Sequence, residues 1–299
     1  MVVEKTILQS AAHRLLHKGF TEWLQLLGYS PLSIPGLTGN LKDFLLYQEQ
    51  NNKTSLQELV ATDANNFTAW LQTQTGGRTK KAFSNGHVNK YIQSLKLFSR
   101  YIRETKQSTV AFNLQRLEAV KAKPVWLTQI EVQSLYDAIP ETGLGIRDRA
   151  MLAVYYGCGL RLNEGANLET KDIDRTAGVL HVRKGKGNNE RFVTMAQKNL
   201  GEVTEYLHYA RPQLLRDSQH DCFFVDANRG LPLGRQALYL RIRQLARRAE
   251  LRKKVGMHTL RHSIATHLLQ NGMALEMIQR FLGHADLDST QIYTHLANE

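Results

Sequence analysis

Apolar positions in the first third of the chain recur at three- and four-residue intervals, the period of an amphipathic helix. LHKGFTEWLQLLGY (16–29), LTGNLKDFLLYQEQ (37–50) and SLQELVATDANNFTAWLQTQ (55–74) all read this way, with Asp63 or Asn65 as the expected cap before the FTAWL helix. HVNKYIQSLKLFSRYIRE (87–104) alternates apolar and basic faces at the same period, behind a Gly-rich basic loop, TGGRTKKAFSNG. LQRLEAVKAKP (114–124) is polar, basic and ended by Pro124, and it reads as a linker. Beyond it LTQIEVQSLYDAI restarts a helix, with Thr128 and Glu131 spaced as a capping box. GIRDRAMLAVYYGCG predicts a second helix, broken by Gly157 and Gly159. The period then changes. GVLHVRKGKGNNERFVTM (178–195) has β-type residues on both sides of a Gly/Asn turn, which predicts a hairpin, and CFFV (222–225) predicts a further short strand. RQALYLRIRQLARRAEL, MHTLRHSIATHLLQNG and LEMIQRFLGH return to the helical period. The expected fold is mainly α with a small antiparallel β-sheet. It comprises a helical domain with its linker over 1–123 and a mixed domain over 124–299.

Length and composition support that division. The 299 residues suit two domains, and 42% hydrophobic with 22% charged residues is enough to bury real cores. The 39 Lys+Arg against 27 Asp+Glu give a net charge of +12, and the pI is near 9.7. Such a surplus favours a polyanionic partner, either nucleic acid or an anionic membrane. The membrane reading loses ground because no stretch approaches the roughly 18 to 20 apolar residues of a span. Nor does MVVEKTILQSAAHRLLHKGF carry an apolar run followed by a cleavage site. Residues 1–123 carry a net charge of +8 and residues 124–299 a net of +4, so the surplus is concentrated in the helical part. That is the distribution expected if this part grips a phosphate backbone. Cys158 and Cys222, both in apolar surroundings, read as buried free thiols in a reducing cytoplasm.

Four local patterns carry candidate chemistry. In GCGLRLNE, Arg161 follows a glycine break and Glu164 lies three residues on, so a helical turn would hold the pair rigid for phosphate contact. An ordinary surface ion pair has the same spacing. In RKGKGNNER, Lys184 and Lys186 lie in the hairpin turn, where a lysine reaches a phosphate or a leaving oxygen, or merely blunts a sheet edge. In HTLRHSIATH, His258 and Arg261 share a helix face, with His262 and His267 further along. Histidines at i and i+4 suit zinc, but Thr259 replaces the glutamate of that motif and an arginine between the ligands opposes a cation. In LGHADLDSTQIYTH, His284 precedes Tyr293. A tyrosine is ordinarily a packing residue, and it becomes a nucleophile only beside groups that stabilise a phosphorane. Together the set is chemically coherent. Two arginines would neutralise a pentacoordinate phosphate, a lysine would protonate a departing 5′ oxygen, histidines would orient and exchange protons, and Tyr293 would hold a phosphotyrosine ester. This chemistry calls for no metal and no cofactor.

The motifs GLRLNE, GKGNNER, HTLRHSIATHLL and LGHADLDSTQIYTH, in this order, resemble those of the tyrosine recombinases of phage-integrase type, in particular the Xer-like and transposon-integrase branches. The resemblance is strong from about Leu127 to His295 and loose in the N-terminal part. It implies a C-shaped clamp made of a helical core-binding domain and a catalytic domain. It also implies roles residue by residue. Arg161 resembles the first catalytic arginine, Glu164 its acidic support, Lys186 the general acid of the GKG turn, and His258 with Arg261 the His-x-x-Arg pair. His284 resembles the second histidine and Tyr293 the nucleophile. Lys184 is a rival for the lysine role, outside the GKG pattern. The implied reaction is site-specific recombination of double-stranded DNA through a 3′-phosphotyrosine and a Holliday junction, by four protomers on two duplexes. The sequence names no accessory protein. A type IB topoisomerase-like relaxing activity and a non-catalytic DNA-binding regulator are the alternatives. Relatives commonly pass a C-terminal helix to a neighbouring protomer, whereas six residues follow Tyr293 here. The expectation is therefore weak coupling between protomers and a monomer in the absence of DNA.

Overall fold

The computed structural model describes residues 7–76, 81–119, 123–183, 190–284 and Thr290. The chain divides into two units, 1–122 and 123–299. In the first, helix α1 (Ala11–Leu26) starts earlier than the apolar pattern alone predicts. Ser10 caps it, its hydroxyl accepting from the His13 N–H at 3.2 Å. α2 (Ile34–Gln50) carries Pro35 in its first turn, where no N–H is needed. α3 (Ala61–Thr73) corrects the expected cap. Asp63 lies inside the first turn, accepts from the Val60 N–H at 2.8 Å and pairs with Lys53 at 2.7 Å, while Asn65 is exposed on the helix. α4 (Asn85–Glu104) is capped by Ser84. Phe20, Leu41, Phe44, Phe67, Leu95 and Phe98 form the core of this unit. Phe44 meets Phe67 edge-on with centroids 5.4 Å apart.

The stretch read as a linker is only partly one. Phe112 and Leu114 are buried in the same core. The Asn89 side chain accepts from the Leu117 N–H at 2.9 Å and donates to the Leu117 carbonyl at 2.8 Å. Asn85 donates to the Glu118 carbonyl at 2.6 Å. Two asparagines one turn apart on α4 thus satisfy an extended segment whose own composition looks like loop.

In the second unit α5 (Gln129–Asp137) has the expected capping box. The Thr128 N–H donates to Glu131 at 2.7 Å, and the Glu131 N–H donates to the Thr128 hydroxyl at 3.2 Å. α6 (Gly143–Leu152) runs into a π-helical turn, Ala153–Gly157. The chain reverses at Gly159, whose φ is +63°, and a Cβ there would lie 2.9 Å from Leu282. The short α7 (Leu162–Ala166) follows. Strands β1 (Ile173–Asp174), β2 (Val179–Val182) and β3 (Arg191–Thr194) form an antiparallel sheet in that order, as the hairpin pattern predicts. Leu180 opposes Val193 and Val182 opposes Arg191 on the buried face, while His181 stacks on Phe192 on the other.

CFFV is not a strand. Cys222 and Val225 make single bridges to different partners, Glu169 and Pro232, so no ladder propagates. α8 (Gln197–Glu205), a π-helical turn and α9 (Arg211–Leu215) set Leu200, Val203, Leu207, Ala210 and Leu214 against the core at three- and four-residue spacing. Val203, Tyr206 and Ala210 are fully buried there. α10 (Arg235–Arg248), α11 (Met257–Gln270) and α12 (Leu275–Leu282) complete the unit around Tyr155, Tyr206, Phe223, Leu238 and Leu260. Gly283 ends α12 in the left-handed conformation, φ +65°. Among the described residues no helix is long and apolar enough to cross a membrane.

Candidate active site

Arg161 is the residue before α7, and Glu164 lies in that helix's first turn. The Glu164 carboxylate accepts from the Arg161 N–H at 2.8 Å and from its guanidinium at 2.7 Å. A second guanidinium, that of Arg191 at the start of β3, grips the other side with contacts of 3.1 and 2.9 Å. Arg261 approaches to 3.9 Å. Burial alone would raise the Glu164 pKa, but the hydrogen bonds and charge of Arg191, with those of Arg161, outweigh it and hold it at about 2. The pair expected from the sequence is therefore a carboxylate shared among arginines.

The same three arginines hold the end of α12. Arg191 Nε donates to the Phe281 carbonyl at 2.9 Å, Arg261 Nη2 to Leu282 at 2.6 Å, and Arg161 Nη2 to Gly283 at 2.9 Å. Consecutive carbonyls at a helix C-terminus, the negative end of its dipole, each receive a cation. Arg261 also donates to the Gly159 carbonyl at 2.5 Å, which ties α11 to the reversal before Arg161.

His284 follows this corner directly. Its Nδ1 lies 2.9 Å from the Thr290 hydroxyl, and burial, followed by the charges of Arg261 and Arg161, lowers its pKa to about 4. His258 is exposed on α11 and its pKa is lowered by partial desolvation, then by Arg261 and Arg161. His262 is lowered to about 4 by burial, then by His258 and Arg261. With their pKa values lowered below 6.5, all three are mainly neutral near pH 7. His267 points elsewhere. It is buried, with Nδ1 2.8 Å from the Tyr156 hydroxyl and its ring edge-on to Trp126. A cavity of about 430 Å³, lined by His258 with Tyr239, Arg243 and Lys254, opens at the start of α11.

The fold thus brings together Arg161, Glu164, His258, Arg261 and His284. Lys184, Lys186 and Tyr293 lie outside the described residues. Arg191 was not singled out by its motif. Its signal is an arginine at the inward phase of RFVT, where alternation predicts an apolar side chain.

The phage integrase family matches residues 125–299. The tyrosine recombinase XerD of Pseudomonas aeruginosa is 33% identical over 273 residues, covering 84% of this chain and 90% of that protein. The crystal structure of XerA recombinase superimposes with a TM-score of 0.53 at 28% identity, covering 95% of this chain and 94% of the other. XerH site-specific recombinase bound to its palindromic difH substrate, in a post-cleavage complex, gives a TM-score of 0.73 at 24% identity, covering 97% and 82%.

Proposed function

This chain belongs to the phage integrase family, and on that premise we propose that it is a tyrosine recombinase that cuts and rejoins double-stranded DNA at a specific site. The observation that carries the reading is the convergence of Arg161 and Arg261 on one helix end, with His258 and His284 beside them in neutral form. Two anchored guanidinium groups form a preorganised cationic seat for a phosphate and cost no reorganisation as charge develops on a phosphorane. Neutral histidines orient the phosphate and exchange protons.

In this reading the Tyr293 hydroxyl gives its proton to a neutral histidine as it attacks the phosphorus, and the 5′ oxygen leaves with a proton from Lys186. A 3′-phosphotyrosine remains. The 5′-hydroxyl of a partner strand then attacks that ester, releases Tyr293 and restores the phosphodiester. Two such rounds through a Holliday junction exchange the duplexes. Four protomers follow from two duplexes, each cut on both strands. In this reading residues 1–123 are the core-binding domain and residues 124–299 the catalytic domain, acting in the cytoplasm where the DNA lies.

Trapping tests the reading. Denaturation-resistant adducts captured from fragmented DNA of the source organism identify the site, and a nicked duplex carrying that site then accumulates the cleaved intermediate. Wild-type protein is expected to form the adduct. Tyr293→Phe is expected to form none while binding DNA about as tightly. An adduct in the phenylalanine variant, or none with wild type, overturns the proposal.

A further inference from the structure

Arg191 has no part in the reaction just described, yet it is the arginine most engaged with Glu164. Its side chain is 7% exposed, and all three of its guanidinium nitrogens are committed, two to the carboxylate and one to the Phe281 carbonyl. Gly283 passes directly over it. A Cβ at that glycine would lie 2.9 Å from Nη1 and 3.0 Å from Cδ. Arg191 is therefore held beneath the α12 corner. Arg161, which shares Glu164 with it, keeps 38% of its side chain exposed, while Arg261, at 4%, is as buried as Arg191 but meets the carboxylate only at 3.9 Å.

We infer that Arg191 is a positioning residue that neutralises Glu164, so that the charge of Arg161 and Arg261 remains directed at the phosphate. The argument is one of charge. Glu164 is ionised and lies 2.7 Å from Arg161 and 3.9 Å from Arg261. Paired with these two alone, the carboxylate would offset one of the two positive charges that a developing phosphorane needs. The bidentate Arg191 fork cancels it from the buried side and leaves the net charge of the seat near two. Its Nε contact also fixes the helix end that presents His284. A guanidinium suits this task because one planar group serves the carboxylate and the carbonyl together.

The inference rests on the recombinase reading, and the test separates the two. Cleavage of the nicked site duplex is timed under single-turnover conditions, with affinity measured in parallel. Arg191→Met is expected to slow cleavage by roughly 10- to 100-fold, the usual cost of losing a supporting partner, with affinity changed by less than about threefold. Glu164→Gln added to Arg191→Met is expected to restore at least about fivefold of that rate, because the uncompensated charge is gone. A purely structural bridge predicts the opposite, since the second substitution would add further damage. If Arg191→Met does not fold, Arg191→Gln with and without Glu164→Gln is judged by the same criterion. No adduct with wild type sinks the recombinase reading. A wild-type adduct with an Arg191 variant that cleaves normally, or a double variant no faster than the single, sinks the inference.

Discussion

His262 and His284 are nearly neutral side chains in a cationic neighbourhood, and this contributes to how the second unit responds to acid. Their pKa values fall on folding from 6.5 to about 4, while His258 is lowered in the same direction. The unfolded chain then binds protons more readily than the folded one between about pH 6.5 and pH 4. Stability is therefore expected to drop as pH falls through that window and to level off, for these groups, near pH 4. Glu164 adds a lower window, because its folded pKa of about 2 gives stability that is present above 4.5 and lost as pH falls toward 2. His262→Asn should flatten the first window by about 1–2 kcal/mol, after discounting for partial exposure. Urea midpoints at pH 7, 5.5 and 4.5 measure it, and an unchanged slope would show that these histidines do not set it. A second residue-scale prediction concerns Lys186. Lys186→Ala should slow cleavage by about 100-fold or more, and recover on a duplex whose 5′ leaving oxygen is replaced by sulfur, because a thiolate leaves without a proton. Sulfur rescue of Lys184→Ala instead would move the general acid to that residue.

At the scale of elements, the C-terminus of α12 does more than end a helix. Its last carbonyls receive Arg191, Arg261 and Arg161, so one corner aligns residues from β3, α11 and the turn before α7. Gly283 makes the corner possible twice over, through its positive φ and through the passage of Arg191 beneath it. Gly283→Ala is expected to lose about 1–2 kcal/mol for the left-handed backbone and to lose cleavage rate as Arg191 is displaced. Gly272→Ala is the control. That glycine also has a positive φ, +84°, but nothing lies within 4 Å of its added Cβ. It should pay the backbone cost and keep its rate. Equal rate losses in the two variants would remove the Arg191 contact from the explanation. Elements also mark where periodicity runs out. α5 is legible because its capping box lies within four consecutive residues. CFFV is apolar enough for a strand but has no continuous partner, and that is set by chain placed far away in sequence.

Over the whole molecule the two units have separate hydrophobic cores, which makes it meaningful to remove one of them. The net charge is +8 over residues 1–123 and +4 over residues 124–299. Binding to the site duplex should weaken linearly on a log–log plot against salt, with a slope of roughly −0.9 per phosphate contacted. A fragment of residues 124–299 should show a clearly shallower slope than the whole chain. Titrations between 50 and 300 mM salt provide the comparison. An unchanged slope would place the electrostatic grip in the second unit alone.

The sequence by itself determined the helical and hairpin periods and the identity of the chemical groups. Each of these is written in neighbouring residues, as spacing, caps, charge or a motif such as GLRLNE. Tertiary structure decided what those groups do to one another. The spacing of Arg161 and Glu164 predicts an ion pair, but only the fold brings Arg191 from β3 against the same carboxylate and sets three arginines on consecutive carbonyls of α12. Likewise His258, His262 and His267 share a helix and a residue type, yet two join the cationic cluster and His267 faces Tyr156 and Trp126. The physical reason is common to both cases. Local pattern fixes the direction of a side chain on its own element, whereas burial, charge compensation and pKa depend on the elements packed against it, which lie more than 100 residues away along the chain for Arg161 with Gly283 and for His267 with Trp126.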